Sequence, residues 1–208
     1  MGSEGADEDE LAIRTACGAG DLTLATTTAL RRYGSELLGF LAGMLNDYDS
    51  ASDAFAMFSE RLWRAMPQFQ WKCSLRTWCY RLARNAAIDV CRTERRKGEL
   101  RLSSAPEVFE LAERLRTNTL SLLRTEKRGA LERLRDELSE EDRALLVLRV
   151  DRQLEWRELA LVLASPPEGG STLAADDELL KREAARLRKR FQLVKERLRT
   201  LGRERGLL

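Results

Sequence analysis

The chain contains no histidine, and it has only four cysteines and four prolines in 208 residues. Without histidine, hydrolytic triads that depend on an imidazole base are excluded. Cys73, Cys79 and Cys91 show no close pair, whereas structural zinc sites usually hold ligands about two to four residues apart. No glycine-rich phosphate-binding loop is present. These absences predict no metal, no cofactor and no histidine-dependent catalytic residues.

Long apolar runs are also missing, since none approaches the roughly 20 residues that span a bilayer. The first ten residues carry five acids and no base, unlike the basic and apolar blocks of a signal peptide. We therefore expect a cytoplasmic protein without a membrane partner, whose cysteines are reduced thiols.

Excess charge of one sign is absent, because 36 bases nearly balance 34 acids for a net charge of +2. The charges are nevertheless segregated. The stretch 76–97 holds seven bases and two acids, and the stretch 181–199 holds nine bases and two acids. Two basic segments separated by acidic ones predict two surfaces for nucleic acid.

Helical periodicity dominates the sequence, and no segment shows convincing strand alternation. Apolar residues recur at three-and-four spacing in stripes such as Leu75, Trp78, Cys79 and Leu82, so Trp78 is expected in the core. The predicted fold is all-α, with two small helical domains joined by a linker. The predicted boundaries are an acidic N-terminal segment at 1–28, a helical domain at 29–97, a linker at 98–129 with a short helix over Val108–Leu115, and a second helical domain at 130–208.

The second domain has the pattern of a helix–turn–helix protein. Ser139 and Asp142 predict a helix start, a further helix covers Trp156–Leu163, and the last helix has an apolar stripe from Ala184 to Leu201. Its remaining faces carry bases, as a helix in the DNA major groove requires. A coiled coil or a solvated helix would show a similar stripe, but the preceding helix pair favours DNA binding.

The turn of this motif is enlarged, because residues 165–181 include Pro-Pro and Gly-Gly. We expect a surface loop at Pro166–Thr172. The stretch Leu173–Leu180 then begins the last helix early or forms a short docked helix. The acids of this insert are candidates for masking the bases at Arg186–Arg190, and a neutral loop insertion is the alternative.

Aromatic and basic residues alternate between Phe69 and Asn85, a composition that suits single-stranded DNA because bases stack on rings and phosphates meet arginine. From composition alone, a packed helix with a solvated basic face is the stronger interpretation.

A family resemblance shifts that balance. Residues 51–97 resemble the second conserved region of sigma-70 family factors of the extracytoplasmic-function (ECF) group, and residues 131–201 resemble the fourth region. In the second region the matches are Asp53, Leu62-Trp63-Arg64-Ala65, Pro67, Phe69, Leu75-Arg76-Thr77-Trp78, Tyr80, Leu82-Ala83-Arg84-Asn85, Asp89 and Arg92. In the fourth they are Leu138-Ser139-Glu140-Glu141-Asp142-Arg143, Leu148-Arg149, Trp156-Arg157-Glu158-Leu159-Ala160 and Leu187-Arg188-Lys189-Arg190-Phe191. Ser52 and Ala56 depart from the acid and glutamine that the family usually has there.

The resemblance implies a sigma factor that directs core RNA polymerase to promoters, melts the minus-ten element and reads the minus-thirty-five element. It assigns polymerase contacts to Asp53, Glu60, Arg61 and Arg64. It assigns DNA contacts to Phe69, Trp71, Lys72, Ser74, Arg76, Arg84, Asn85, Arg92, Arg95, Arg96, Arg186, Arg188, Lys189 and Arg190. The implied partners are core RNA polymerase and promoter DNA, and the family also allows an anti-sigma factor.

Two other interpretations remain open at this stage. One is a regulator that binds duplex DNA through its C-terminal domain without polymerase, and the other is a helical adaptor between proteins. Dependence on core polymerase separates the sigma factor from both of them.

Overall fold

The computed structural model describes residues 4–93, 105–125, 130–164 and 177–207. These residues contain helices and turns but no strand, so the predicted all-α class is confirmed. The helices are α1 (Glu4–Gly18), α2 (Leu22–Leu45), α3 (Tyr48–Ala65), α4 (Leu75–Thr93), α5 (Pro106–Thr125), α6 (Ala130–Arg135), α7 (Glu140–Leu146), α8 (Trp156–Leu163) and α9 (Asp177–Glu204). A 3₁₀ turn, Met66–Gln68, follows α3, and a π-helical turn, Val147–Asp151, extends α7.

Helix α2 is the centre of the fold. Its N-terminus is capped by the carboxylate of Asp21, which accepts a hydrogen bond from the backbone N–H of Leu24 at 2.9 Å. It ends at Asn46, whose left-handed backbone (φ 56°) lets its N–H donate to the carbonyl of Ala42. Thirteen of its 24 residues are buried, because α1, α3, α4, α5 and α7 all pack against it.

Local polar residues begin the neighbouring helices. The carboxylate of Asp47 accepts from the N–H of Ser50 at 2.7 Å and starts α3. The hydroxyl of Ser139 accepts from the N–H of Asp142 at 3.2 Å and starts α7, as the sequence predicts. These caps satisfy N–H groups that the first helical turn leaves without partners.

Part of the predicted linker is an ordered helix. Helix α5 packs on α2 and α3, with Val108 and Ala112 buried. A Cβ added at Gly34 of α2 would lie 2.7 Å from a methyl group of Leu115, which shows how closely α5 approaches. The helix is longer than the predicted Val108–Leu115 because α2 and α3 accept its apolar stripe, a tertiary contact that the local sequence does not show.

The C-terminal helices pack directly on the N-terminal ones. Helix α7 contacts α2, and α8 contacts α4. Buried residues from both parts, such as Leu41 and Ala83 from the first and Leu148 and Leu159 from the second, belong to one continuous core. The predicted domain boundaries stay a prediction.

Candidate nucleic-acid interface

Three aromatic rings cluster where the loop after α3 meets α4. Phe69 stacks on Trp78, with ring centroids 4.5 Å apart and planes 20° apart. The ring of Trp71 lies 4.7 Å from that of Phe69, and its backbone has a left-handed φ of 55°. The cleft beside them, about 150 Å³, is lined by Gln68, Phe69, Gln70, Lys72, Cys73, Thr77, Trp78, Arg81 and Leu161. Ring faces beside lysine and arginine suit an unpaired base and its phosphate.

Trp78, which was predicted in the core, packs against the edge of the core, whereas Tyr80 is inside it. Trp78 is half-buried and lines the cleft, whereas Tyr80 is fully buried against the ring edge of Phe40 at 5.3 Å. The predicted stripe is buried at Leu75, Cys79 and Ala86 but omits Tyr80, whose polar tip does not mark it as a core residue in the sequence. That tip is satisfied inside the protein, where its hydroxyl donates to Glu36 at 2.6 Å.

Two predicted DNA contacts lie beside the cleft in different settings. Lys72 is exposed. Ser74 is also exposed, but its hydroxyl accepts from the N–H of Thr77 at 3.2 Å and hydrogen-bonds the Thr77 hydroxyl at 2.8 Å. Ser74 therefore caps α4 in this arrangement.

Arg76 is half-buried, and partners within the protein hold its guanidinium. Its guanidinium forms an ion pair with Glu36 and donates to the backbone carbonyl of Arg152 at 3.1 Å. Burial opposes ionisation of Glu36, but hydrogen bonds from Arg76 and Tyr80 outweigh it and hold the pKa of Glu36 below its ordinary value. Glu36 is therefore an anionic anchor for both side chains.

Arg84 is also buried, with 7% of its surface exposed. Burial lowers the pKa of its guanidinium, and the nearby carboxylate of Glu141 opposes that shift. Arg84 lines a groove of about 780 Å³ between α3, α4 and α7, together with half-buried Asn85 and exposed Arg92. Arg95 and Arg96 lie outside the described residues.

The predicted polymerase contacts all lie on α3. Asp53 is exposed, and Glu60 pairs with Arg64 at 2.6 Å one turn away. Arg61 reaches across to Asp89 of α4 at 2.7 Å. Asp53 and Arg64 are exposed, whereas Glu60 and Arg61 are half-buried.

Helix α9 buries a stripe of Leu180, Ala184, Leu187 and Val194 and exposes bases outside it. Arg186, Arg188 and Lys189 are among these exposed bases. Arg186 pairs with Glu183 at 2.9 Å, and the guanidinium of Arg188 lies 5.5 Å from the ring centroid of Trp156. Arg190 is half-buried and pairs with Glu141 and Asp142 of α7, each at 2.6 Å.

The predicted insert is described only in part. Its predicted loop, Pro166–Thr172, lies outside the described residues, and α9 begins at Asp177, inside the stretch where an early start was predicted. Leu180 docks with 2% exposure, whereas Leu179 is exposed. Asp177 pairs with Arg157 at 2.8 Å. Among the described residues, the carboxylates that pair with Arg190 are Glu141 and Asp142 of α7, and none belongs to this insert.

Sequence reasoning missed the contribution of α1. Its Ile13 and Ala16 are buried, and the carboxylate of Glu10 accepts from the N–H of Leu75 at the start of α4 at 2.9 Å. The guanidinium of Arg14 lies 5.4 Å from the ring centroid of Trp71. Helix α1 thus packs against the loop 69–74, which carries Phe69 and Trp71 and is called the aromatic loop below. Sequence reasoning also missed Glu36, although it is the one charged residue between Arg32 and Asp47.

The described part of the chain holds no group of side chains suited to bind a metal ion. Burial raises the pKa of the Cys73 and Cys79 thiols, which disfavours the reactive thiolate. No described helix is both long enough and apolar enough to cross a membrane.

Comparison with protein-family models finds a match. The family model described as Sigma-70 region 2 matches residues 29–97, about a third of the chain, including α3, the aromatic loop and α4. No curated protein and no solved structure matches. Residues 29–97 are therefore similar to a sigma-70 region 2 domain, and this match supports a sigma factor in general. In sigma factors this domain binds core RNA polymerase and melts the minus-ten element.

Proposed function

We propose that this protein is a sigma factor of the ECF group that opens promoters with its region 2 domain and reads the minus-thirty-five element with α8 and α9. The observation that carries the proposal is the cluster of three aromatic rings, Phe69, Trp71 and Trp78, inside the matched region. A base flipped from the non-template strand costs a few kcal/mol to unstack, and stacking on such rings returns about 1–3 kcal/mol per base.

The C-terminal half supports the second part of the proposal. Helices α8 and α9 pack together, and α9 exposes Arg186, Arg188 and Lys189 away from its buried stripe. A recognition helix needs this division between a docking stripe and a basic surface. Arginine at a guanine edge contributes about 1–3 kcal/mol of discrimination.

The partners follow from this role. Asp53, Glu60, Arg61 and Arg64 on α3 form the proposed surface for core polymerase, and promoter DNA is the second partner. An anti-sigma factor is a third partner that this group allows. The protein supplies no catalysis of its own in this proposal, because polymerase makes the RNA, and it acts in the cytoplasm.

Run-off transcription with core polymerase on a library of cognate genomic fragments tests the proposal. We expect co-elution with core polymerase and specific transcripts from a small set of fragments. Reversing the charge of both Asp53 and Arg64 should weaken co-elution, while the same change at exposed Glu107 and Arg114 of α5 serves as the matched control. Specific DNA binding without any polymerase-dependent transcript would favour a polymerase-independent regulator instead.

A further inference from the structure

Helix α1 lies outside the part of the chain that matches the family model, because it ends at Gly18 and the matched residues begin at 29. It is nevertheless docked on the fold, since Ile13 and Ala16 are buried and the helix packs on α2. Two of its charged side chains, Glu10 and Arg14, approach the aromatic loop. They are four residues apart, so they share one face of α1.

Glu10 holds the end of the aromatic loop. Its carboxylate accepts a hydrogen bond at 2.9 Å from the N–H of Leu75, which is the first residue of α4 and lies 65 positions later in the chain. In the same turn, the hydroxyl of Ser74 accepts from the N–H of Thr77. A carboxylate at this end of a helix also interacts favourably with the helix dipole. The point where the loop enters α4 is therefore fixed in part by α1.

Arg14 contacts the other charged or aromatic partner of α1 in this loop, the indole of Trp71. Its guanidinium carbon lies 5.4 Å from the ring centroid, and the ring of Phe69 lies 4.7 Å from the same indole. The backbone of Trp71 is left-handed, with φ 55°. A bulky residue rarely adopts this conformation unless its surroundings hold it there. The contacts with Phe69 and Arg14 fix the orientation of the ring.

The charge of Arg14 is available at the edge of the aromatic loop. Its side chain is exposed, and in the described part of the chain no carboxylate pairs with it. The neighbouring acids of α1 are engaged elsewhere, because Asp9 pairs with Arg32 at 3.3 Å and Glu10 accepts from Leu75. A free guanidinium beside aromatic rings suits an unpaired nucleic-acid strand, whose bases stack on the rings and whose phosphates pair with arginine.

We propose, on the basis of the sigma function proposed above, that Arg14 is a further contact for the unpaired minus-ten strand. A base of that strand stacks on the rings of the aromatic loop, and the guanidinium of Arg14 binds a backbone phosphate next to that base. Glu10 is a positioning residue, because it keeps the loop within reach of Arg14 by holding the start of α4. The single-strand site thus extends beyond residues 29–97 onto α1.

Neutral phosphate analogues test the contact in the complete complex. Holoenzyme made from the full-length protein and core polymerase binds a fluorescent single strand that carries the minus-ten element of a promoter found by run-off transcription. Each phosphate of the element is replaced in turn by an uncharged methylphosphonate. For the wild type, we expect the affinity to fall roughly three- to tenfold at the phosphate that Arg14 binds, since one charge-assisted hydrogen bond is lost.

Arg14→Ala should bind the unmodified strand with a similar loss and should no longer respond to the methylphosphonate at that position. Arg14→Lys keeps the charge and should restore part of the affinity. Arg31→Ala removes an exposed base of α2 beside α5, so it is the matched charge control and should behave as the wild type does. An Arg14→Ala variant that keeps the wild-type response at every phosphate would overturn the contact.

Glu10→Ala should weaken both strand opening and the response at the Arg14 phosphate. Glu10→Gln keeps an acceptor oxygen for the N–H of Leu75 and should restore both, which a general loss of stability would not produce. Equal responses in Glu10→Ala and the wild type would overturn the positioning role. If the wild-type holoenzyme itself does not bind the strand, the sigma function fails and the contact falls with it, whereas wild-type binding without a responsive phosphate overturns the contact alone.

Discussion

Replacing Tyr80 with alanine should destabilise the protein by about 3–5 kcal/mol, whereas replacing Trp78 with alanine should cost only about 1–2 kcal/mol. Tyr80 is completely buried and packs on Phe40. Its loss therefore leaves a cavity in the core and removes the hydrogen bond that its hydroxyl donates to Glu36. Trp78 is half-buried and loses mainly its stacking on Phe69.

Urea unfolding followed by circular dichroism measures both costs. Tyr80→Phe is the matched control, because it keeps the ring and removes only the hydroxyl, for about 1 kcal/mol. We expect Trp78→Ala to remain folded and to fail in promoter opening. Equal destabilisation by the two alanine variants would place Trp78 in the core after all.

Replacing Glu36 with alanine should cost about 1–3 kcal/mol, because it leaves the partly desolvated guanidinium of Arg76 without its anion. The effect should depend on pH. The pKa of Glu36 in the folded protein lies below the ordinary value of 4.5. Its contribution to stability is therefore fully present above pH 4.5 and is lost as the pH falls through the lower folded-state pKa.

Unfolding of the wild type and of Glu36→Gln across acidic pH measures this contribution. Glutamine keeps the shape and an acceptor oxygen but cannot ionise, so the stability difference should shrink as the pH falls below 4.5. The matching acid-to-amide substitution at exposed Asp49 of α3, Asp49→Asn, is a surface control that changes the charge by the same amount. A difference that stays constant with pH would show that the pKa of Glu36 is the same in the folded and unfolded protein, and would contradict this account.

The sequence predicts the helical class well because helix formation is local. The cap at Ser139 is confirmed, and the stripe of α9 is buried through Leu187 and Val194, since periodicity alone decides which face docks. Helix α5 was predicted too short because its stability depends on α2 and α3, which are distant in sequence.

The site was less predictable because burial of a charge depends on tertiary partners. Arg76 and Arg84 have the spacing of exposed bases on α4, yet Glu36 holds the first and the packing of α7 encloses the second. Gly39 and Gly43 of α2 leave room for the side chains of Arg152 and Val147, which follow α7. The sequence does not show this, because nothing in a glycine itself indicates which neighbour approaches it.

Opening of the minus-ten element is the most direct test of the account. Permanganate oxidises unpaired thymines, so a footprint of a cognate promoter fragment reports strand separation base by base. With core polymerase and this protein together, we predict reactive thymines confined to the minus-ten element, and far fewer with Trp78→Ala. A fully paired promoter in the presence of both, or the same reactivity with core polymerase alone, would contradict the account.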